Sequence, residues 1–280
     1  MTVDNHEIWE DAKIAKWWSQ YVDSGLHKNE KIILDRLTEE LSGKSILDLG
    51  CGGGRTTLPL LKISRNYVGV DYSPEMIRQC RARFPDVQFL TGDARKLTMF
   101  NAAQFDFILF AFNGIDYIPP ADRPAVLREI YRLLKPGGYF LFSAHNIEKK
   151  ITSAFSLKNL HWRKNPISMV RNLLCYLAGI WNYLRMRRLQ TYTDEYALLI
   201  DNALNYRLLT CYIGKQQQVA QLQVVGFGTV EVFDRDAKVI DLTIPETQCA
   251  WLYYLTRKPA TPDQRSSLDQ CWAANNQISR

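Results

Sequence analysis

The stretch LDLGCGGGRTT, from Leu47 to Thr57, sets a carboxylate, Asp48, two residues ahead of a glycine cluster and an arginine, Arg55, directly behind it. Glycines at the end of an apolar run let the backbone approach a ligand closely, because a Cβ there would collide with it. Charge then selects among ligands. A dinucleotide pyrophosphate calls for GxGxxG/A, but here Gly50, Gly52 and Gly54 give GxGxG and Arg55 occupies the last position. A carboxylate this close to the turn repels a pyrophosphate and attracts an ammonium or a sulfonium. No GK[ST] follows, so a Walker loop is excluded. The local chemistry prefers a cationic, non-phosphate nucleoside.

Positioning such a turn requires a strand before it and a helix after it. From Ser45 to Ser143 strand-like and helix-like segments alternate, the pattern of a parallel sheet with crossover helices. SILDLG, NYVGVD, VQFLTGD, FDFILFAF and YFLFSA read as five strands, several of them continuously apolar as expected when both faces are covered. SPEMIRQCRARF reads as a helix with Ser73 as its N-cap and Pro74 in its first turn. After about residue 149 the rhythm breaks into a segment of helical character to about 205. It then resumes with a helix ended at Gly226 and two more strands, TVEVFD and AWLYYLTRKP.

The ordered series LDLGCGGG, GVDYSPEM, TGDARKL, FDFILFAFN and LLKPGGYFLFS resembles the class I (Rossmann-like) S-adenosylmethionine-dependent methyltransferases over roughly residues 44–143. The resemblance implies an α/β fold with a doubly wound, seven-stranded, mostly parallel sheet and a helical insertion after the fifth strand. It implies S-adenosylmethionine as cofactor. Asp48 and the backbone of Gly50 and Gly52 would hold its methionyl end, directly or through water, with Gly54 also among the cofactor-binding residues, and Asp71 would hold both ribose hydroxyls. Asp93 and the Ala94 amide would meet the adenine, with Tyr72 and Met76 packed on it and Phe110 near the adenosine. Arg55 would meet the methionine carboxylate or serve as a surface residue of the first helix; both readings stand.

Methyl transfer from a sulfonium is an in-line displacement whose thioether leaving group needs no proton, so alignment and dehydration are the main tasks and a missing catalytic motif excludes nothing. The acceptor is expected beyond the fourth and fifth strands, with Phe112 and Asn113 next to the methyl group. FAFNGIDYI is not the [DN]PP[YFW] of amino-methylating nucleic-acid enzymes. His145, just after the fifth strand, is the candidate base or acceptor-orienting residue, against the alternative of a loop histidine bonding backbone.

Composition, with 46% hydrophobic and 23% charged residues, is that of a globular protein, and neither the six cysteines nor the four histidines make a metal or disulfide pattern, so no metal is expected. The acidic start lacks the features of a signal peptide, which predicts a cytoplasmic protein. Between Lys149 and Arg188 lie nine basic residues and no acidic one, more than the whole net charge of +6, so the rest of the chain is net acidic. In this segment Val170, Leu173, Leu174, Leu177, Trp181 and Leu184 share one helical face. A lid helix docked on the domain, a membrane-surface helix or another anionic partner through residues 149–188 all fit. Nucleic acid is disfavoured by the fourth strand. The expected organisation is an N-terminal helical cover (1–43, with Trp9, Trp17, Trp18 and Tyr21), a cofactor domain (44–148 and 206–259), a helical, basic lid (149–205) and a polar tail (260–280). The expected activity is methylation of an O or N atom of a small-molecule acceptor. A lipid-like or nucleic-acid acceptor, or a regulatory protein that binds the cofactor without turnover, is the alternative. Tyr192, Tyr196, Tyr206 and Tyr212 are candidates to line an acceptor pocket.

Overall fold

A computed structural model describes residues 5–9, 11, 14, 22–148, 153–160, 165–243 and 249–260. Five parallel strands form the heart of the fold: β1 (Ile46–Leu49), β2 (Tyr67–Asp71), β3 (Gln88–Thr91), β4 (Phe105–Phe110) and β5 (Leu134–His145). With β9 (Val230–Phe233) and β10 (Trp251–Arg257) they make a seven-stranded sheet in the order β3-β2-β1-β4-β5-β10-β9, and β10 runs antiparallel to both neighbours. The chain leaves β1 toward β2 and β3, then returns to lay β4 on the other side of β1. Ligands of open α/β sheets bind at that reversal, at the carboxyl ends of the strands.

Strand alternation sorts the core into two layers. Leu47, Leu49, Val68 and Val70 share a buried cluster with Val126, Leu127 and Ile130 of α6 (Arg123–Leu133) and Leu222 of α8 (Lys215–Val225). Ile46 and Tyr67 belong to the opposite cluster, with Ile33 and Leu34 of α2 (Lys28–Asp35), Leu60 of α4 (Thr57–Ile63) and Ile77 of α5 (Pro74–Arg83). A fully buried leucine or isoleucine in such a layer contributes about 1.5–3 kcal/mol, so coverage of both faces is what fixes the parallel sheet. Ser73 caps α5 as its sequence predicts, its Oγ accepting from the Met76 amide at 3.4 Å.

The insertion departs from expectation. It contains α7 (Pro166–Met186), but the segment read as helical to 205 also holds β6 (Thr191–Tyr192) and β7 (Tyr196–Leu199), which pair with β8 (Thr210–Ile213) in a separate antiparallel sheet. Residues 210–213, assigned from sequence to the cofactor domain, therefore pair with the insertion. The reason is local: TDEY at 193–196 makes a tight reversal, with Thr193 Oγ1 accepting from the Glu195 and Tyr196 amides at 3.3 and 3.0 Å, and hairpin strands this short leave little period to read. Among the described residues no helix is long and apolar enough to cross a membrane.

Candidate functional site

Asp48 is the third of four buried residues in β1 and falls on the sheet face opposite Leu47 and Leu49. Its Oδ2 accepts from Thr56 Oγ1 at 2.6 Å and from the Tyr67 hydroxyl at 2.8 Å, while its Oδ1, also buried, has no hydrogen-bond partner among the described residues. Burial pushes the carboxyl up to about 6, against the pull of those two hydroxyls and of Arg55. The turn that follows is tied to β2: the Cys51 amide donates to the Val70 carbonyl at 3.0 Å and the Gly52 amide to Asp71 Oδ2 at 2.9 Å. Asp71 Oδ1 accepts from the Ser73 amide at 2.9 Å, so one buried carboxylate fixes both the glycine turn and the start of α5. Burial raises the Asp71 pKa, and the backbone amides hold it back.

Gly50 has φ +64°, and a Cβ there would sit 2.6 Å from the Phe110 ring. Two demands, left-handed backbone and a ring in contact, therefore require glycine at this one position. At Gly52 a Cβ would meet nothing within 4 Å.

The turn opens on a cavity of about 520 Å³ at the carboxyl ends of β1, β2, β3 and β4. Its walls include Gly50, Gly52, Arg55, Asp71, Tyr72, Met76, Asp93, Ala94 and Phe110, nine of the predicted cofactor residues brought together. Asn5 and Trp9 line it as well. Asn5 exchanges hydrogen bonds with the Leu209 backbone at 2.8 and 3.2 Å, Ser73 Oγ donates to the Trp9 carbonyl at 3.1 Å, and the Trp9 ring meets Tyr117 edge-on at 5.1 Å. The same cavity carries an aromatic wall. His27 stacks on Phe112 at 5.4 Å, Phe112 meets Trp251 at 5.5 Å, and the Arg235 guanidinium lies 5.5 Å over Trp251.

Residues 46–138 match the family model of a methyltransferase domain. These residues form a methyltransferase domain of the class I S-adenosylmethionine-dependent kind. Its cofactor is S-adenosylmethionine. The ubiquinone biosynthesis O-methyltransferase of Acinetobacter baylyi is 27% identical over 160 residues, which is 54% of this chain and 66% of that protein. The chain spans between 45% and 66% of the length of the first curated relatives it matches. Among solved structures, a methyltransferase of Clostridium acetobutylicum superposes with a TM-score of 0.55 at 16% identity, covering 88% of this chain and 98% of that one. A methyltransferase of Mesorhizobium loti gives 0.54 at 19% identity, covering 82% and 97%. Both share the fold.

The residues of this methyltransferase domain fit a cofactor with a cationic methionyl end, since the orphaned Oδ1 of Asp48 supplies an unused buried acceptor beside the turn. Asp48 itself stands behind the cavity wall, and its hydrogen-bond donor Thr56 lines it. Three of the predicted residues have other partners in the structure. Gly54 does not line the cavity but Gly53 does; at Gly54 a Cβ would meet the Phe84 ring at 2.8 Å, so this glycine serves packing. Arg55 lines the cavity with its fork closed on Glu30, at 2.6 and 2.9 Å, inside a nearly buried pair. The carboxylate of Asp93 is engaged by Arg95, which also reaches Asp122 at 2.7 Å.

His145 is buried off the cavity. Its Nδ1 lies 2.9 Å from Asp116 Oδ2 and its backbone amide donates to the same oxygen at 2.6 Å, while Arg123 donates to Asp116 Oδ1 at 3.0 Å. The other ring nitrogen, Nε2, faces the Asn113 side-chain amide at 3.4 Å. The Trp251 ring stands edge-on to the imidazole at 5.8 Å and itself lines the cavity, as Phe112 does; Asn113 does not. None of the four candidate tyrosines lines it either: Tyr212 donates to Asp201 at 2.8 Å, Tyr206 accepts from Asn159 at 2.9 Å, Tyr196 is half-buried in β7, and Tyr192 is exposed. Trp17, Trp18 and Tyr21 lie outside the described residues. Sequence reasoning missed His27, Trp251, Tyr253 and Arg235; only Trp251, at the start of a strand bound for the sheet, carried a signal.

Proposed function

We propose that this protein, acting from the cytoplasm, transfers a methyl group from S-adenosylmethionine to an oxygen or nitrogen atom of a small acceptor that enters along Phe112, Trp251 and Tyr253. The observation that carries the reading is one continuous cavity, running from the glycine turn and Asp71 to that aromatic wall. The similarity to a protein named as a ubiquinone biosynthesis O-methyltransferase favours oxygen. Bound there, the cofactor supplies an electrophilic methyl group on a sulfonium. The chain's own part is to bind and dehydrate. Asp48 would hold the cationic groups of the methionyl end and the turn amides its carboxylate, Asp71 would take hydroxyls through oxygens it now shares with Gly52 and Ser73, and Trp9 and Tyr117 would exclude water. His145, one ring behind Trp251, orients that wall in this reading and does not touch the acceptor.

The test incubates the full chain with methyl-labelled S-adenosylmethionine and a panel of phenols, carboxylates and amines. Label transfer to one class, with Trp251→Ala raising KM for the acceptor about ten-fold or more while cofactor affinity holds, supports the reading. Tight cofactor binding with no transfer to any acceptor in the panel would favour a regulatory protein instead.

A further inference from the structure

Helix α7 leaves its larger apolar face in solvent. The face turned to the protein is mixed: Tyr183 and Met186 pack on the buried cluster of Ala154, Ile200, Tyr206 and Leu209, beside a set of polar contacts. Gly179 is its only fully buried residue, so close to the loop before β8 that a Cβ would lie 2.4 Å from Asn205 Oδ1. Asn182 Nδ2 donates to the Asn205 carbonyl and Asn205 Nδ2 to the Cys175 carbonyl, both at 2.9 Å, and Tyr183 meets Tyr206 edge-on. The opposite face carries Ile167, Val170, Leu174, Leu177, Trp181 and Leu184, from 41% to 80% exposed. An apolar arc normally turns toward the core. Among the described residues nothing covers it.

Charge identifies what covers this face. Arg171, Arg185, Arg187 and Arg188 are exposed along or just beyond the helix, and no Asp or Glu occurs between residues 149 and 193. A second copy set on the same stripe would oppose arginines to arginines with no carboxylate to pair them. RNA would ask for a row of stacking aromatics, whereas five of the six stripe residues named are aliphatic. An anionic bilayer answers both features at once, taking the aliphatic side chains and Trp181 below the headgroups and the guanidinium groups among the phosphates. At 21 residues with two arginines inside it, the helix lies in the interface and does not span.

We infer that the outward face of α7 docks the protein on membranes rich in anionic lipid. This inference is independent of the methyl-transfer reading, because neither its residues nor its readout involves the cavity.

The test co-sediments the full chain with vesicles of phosphatidylcholine alone and of equal parts phosphatidylcholine and phosphatidylglycerol, at low and high salt. The expected result is retention on the phosphatidylglycerol vesicles that salt weakens. The variant Leu174→Ser, Leu177→Ser, Trp181→Ser should lose at least about ten-fold in partition, and Arg187→Gln with Arg188→Gln about ten-fold. All the substituted side chains are exposed, so melting should match the parent and separate lost docking from lost folding. Absence of retention at low salt overturns the inference, and so does undiminished retention of the serine variant. A dimer that the serine variant dissociates, without vesicle binding, would assign the face to a second copy. RNA retention lost with the arginines, without vesicle binding, would assign it to nucleic acid.

Discussion

Asp48→Asn separates the two tasks that β1 gives this carboxylate. Above pH 6 the native protein keeps a buried charge with one orphaned oxygen, and burial has moved its pKa from 3.8 to about 6. The sign for stability follows from proton binding: between those values the folded state holds the proton more tightly than the unfolded chain. The Asp48 contribution is therefore fully present below the unfolded pKa and is lost as pH rises through 6, a swing of about 3 kcal/mol. Cofactor binding runs the opposite way, since a cationic methionyl end needs the ionised form. A group with this pKa is about 90% ionised at pH 7 and about 10% at pH 5, so affinity should fall about nine-fold over that range. Asn removes both slopes, and loss of a charge-assisted contact of about 1.5–3 kcal/mol should weaken binding about 10- to 100-fold at pH 7. Titration calorimetry with S-adenosylhomocysteine, in buffers of different ionisation enthalpy, measures the affinity and the proton released on binding. A parent affinity flat from pH 5 to 8, or an Asn variant that binds as tightly as the parent at pH 7, would refute the assignment.

Three further perturbations follow from the same geometry. Gly50→Ala meets both a left-handed backbone and the Phe110 ring and should destabilise by about 2–4 kcal/mol, against about 1 kcal/mol for Gly52→Ala, which meets no atom; equal melting temperatures for the two contradict this. Glu30→Gln leaves the Arg55 guanidinium, 11% exposed, without its counter-charge and should cost about 3–5 kcal/mol in chemical denaturation, with a near-parental midpoint counting against it. His145→Gln removes a donor from buried Asp116 and should cost about 1–3 kcal/mol, leaving cofactor affinity within about three-fold; a hundred-fold loss of kcat in a variant of parental stability would return His145 to the chemistry.

The sheet was legible because its strands are continuously apolar and separated by crossover helices, a pattern that both covered faces impose. The lining of the cavity was legible because four strand ends converge on one turn, so Asp71, Asp93 and Phe110 reach it by strand order alone. What escaped depended on long-range pairing. Glu30 sits 25 residues before the arginine it closes on, and nothing in the spacing connects them. His27 and Arg235 come from opposite ends of the chain and meet at Phe112 and Trp251 only after β10 has inserted between β5 and β9. His145 was placed correctly at the strand end, yet its partner in register is Trp251, and that pairing puts an indole between the imidazole and the cavity.

The helix after β5 shows a further limit of periodicity. A repeat of three and four locates an apolar face and says nothing about which way the face points. The direction is set by the neighbour, and here the neighbour is Asn205, whose amide and carbonyl take Cys175 and Asn182 while Gly179 permits the approach. These polar contacts, with Tyr183 and Met186 packed on the cluster around Tyr206, orient the helix and leave six large apolar side chains outward, which is unfavourable in water unless something else buries them. Filling the contact with Gly179→Leu should therefore undock α7 without touching the outward stripe. Limited proteolysis should then cleave within residues 166–186, while the fold of the seven-stranded sheet, followed by the melting transition, persists. Protection of α7 in that variant equal to the parent would mean that the helix is held by contacts other than these, and the argument from its orientation would fail.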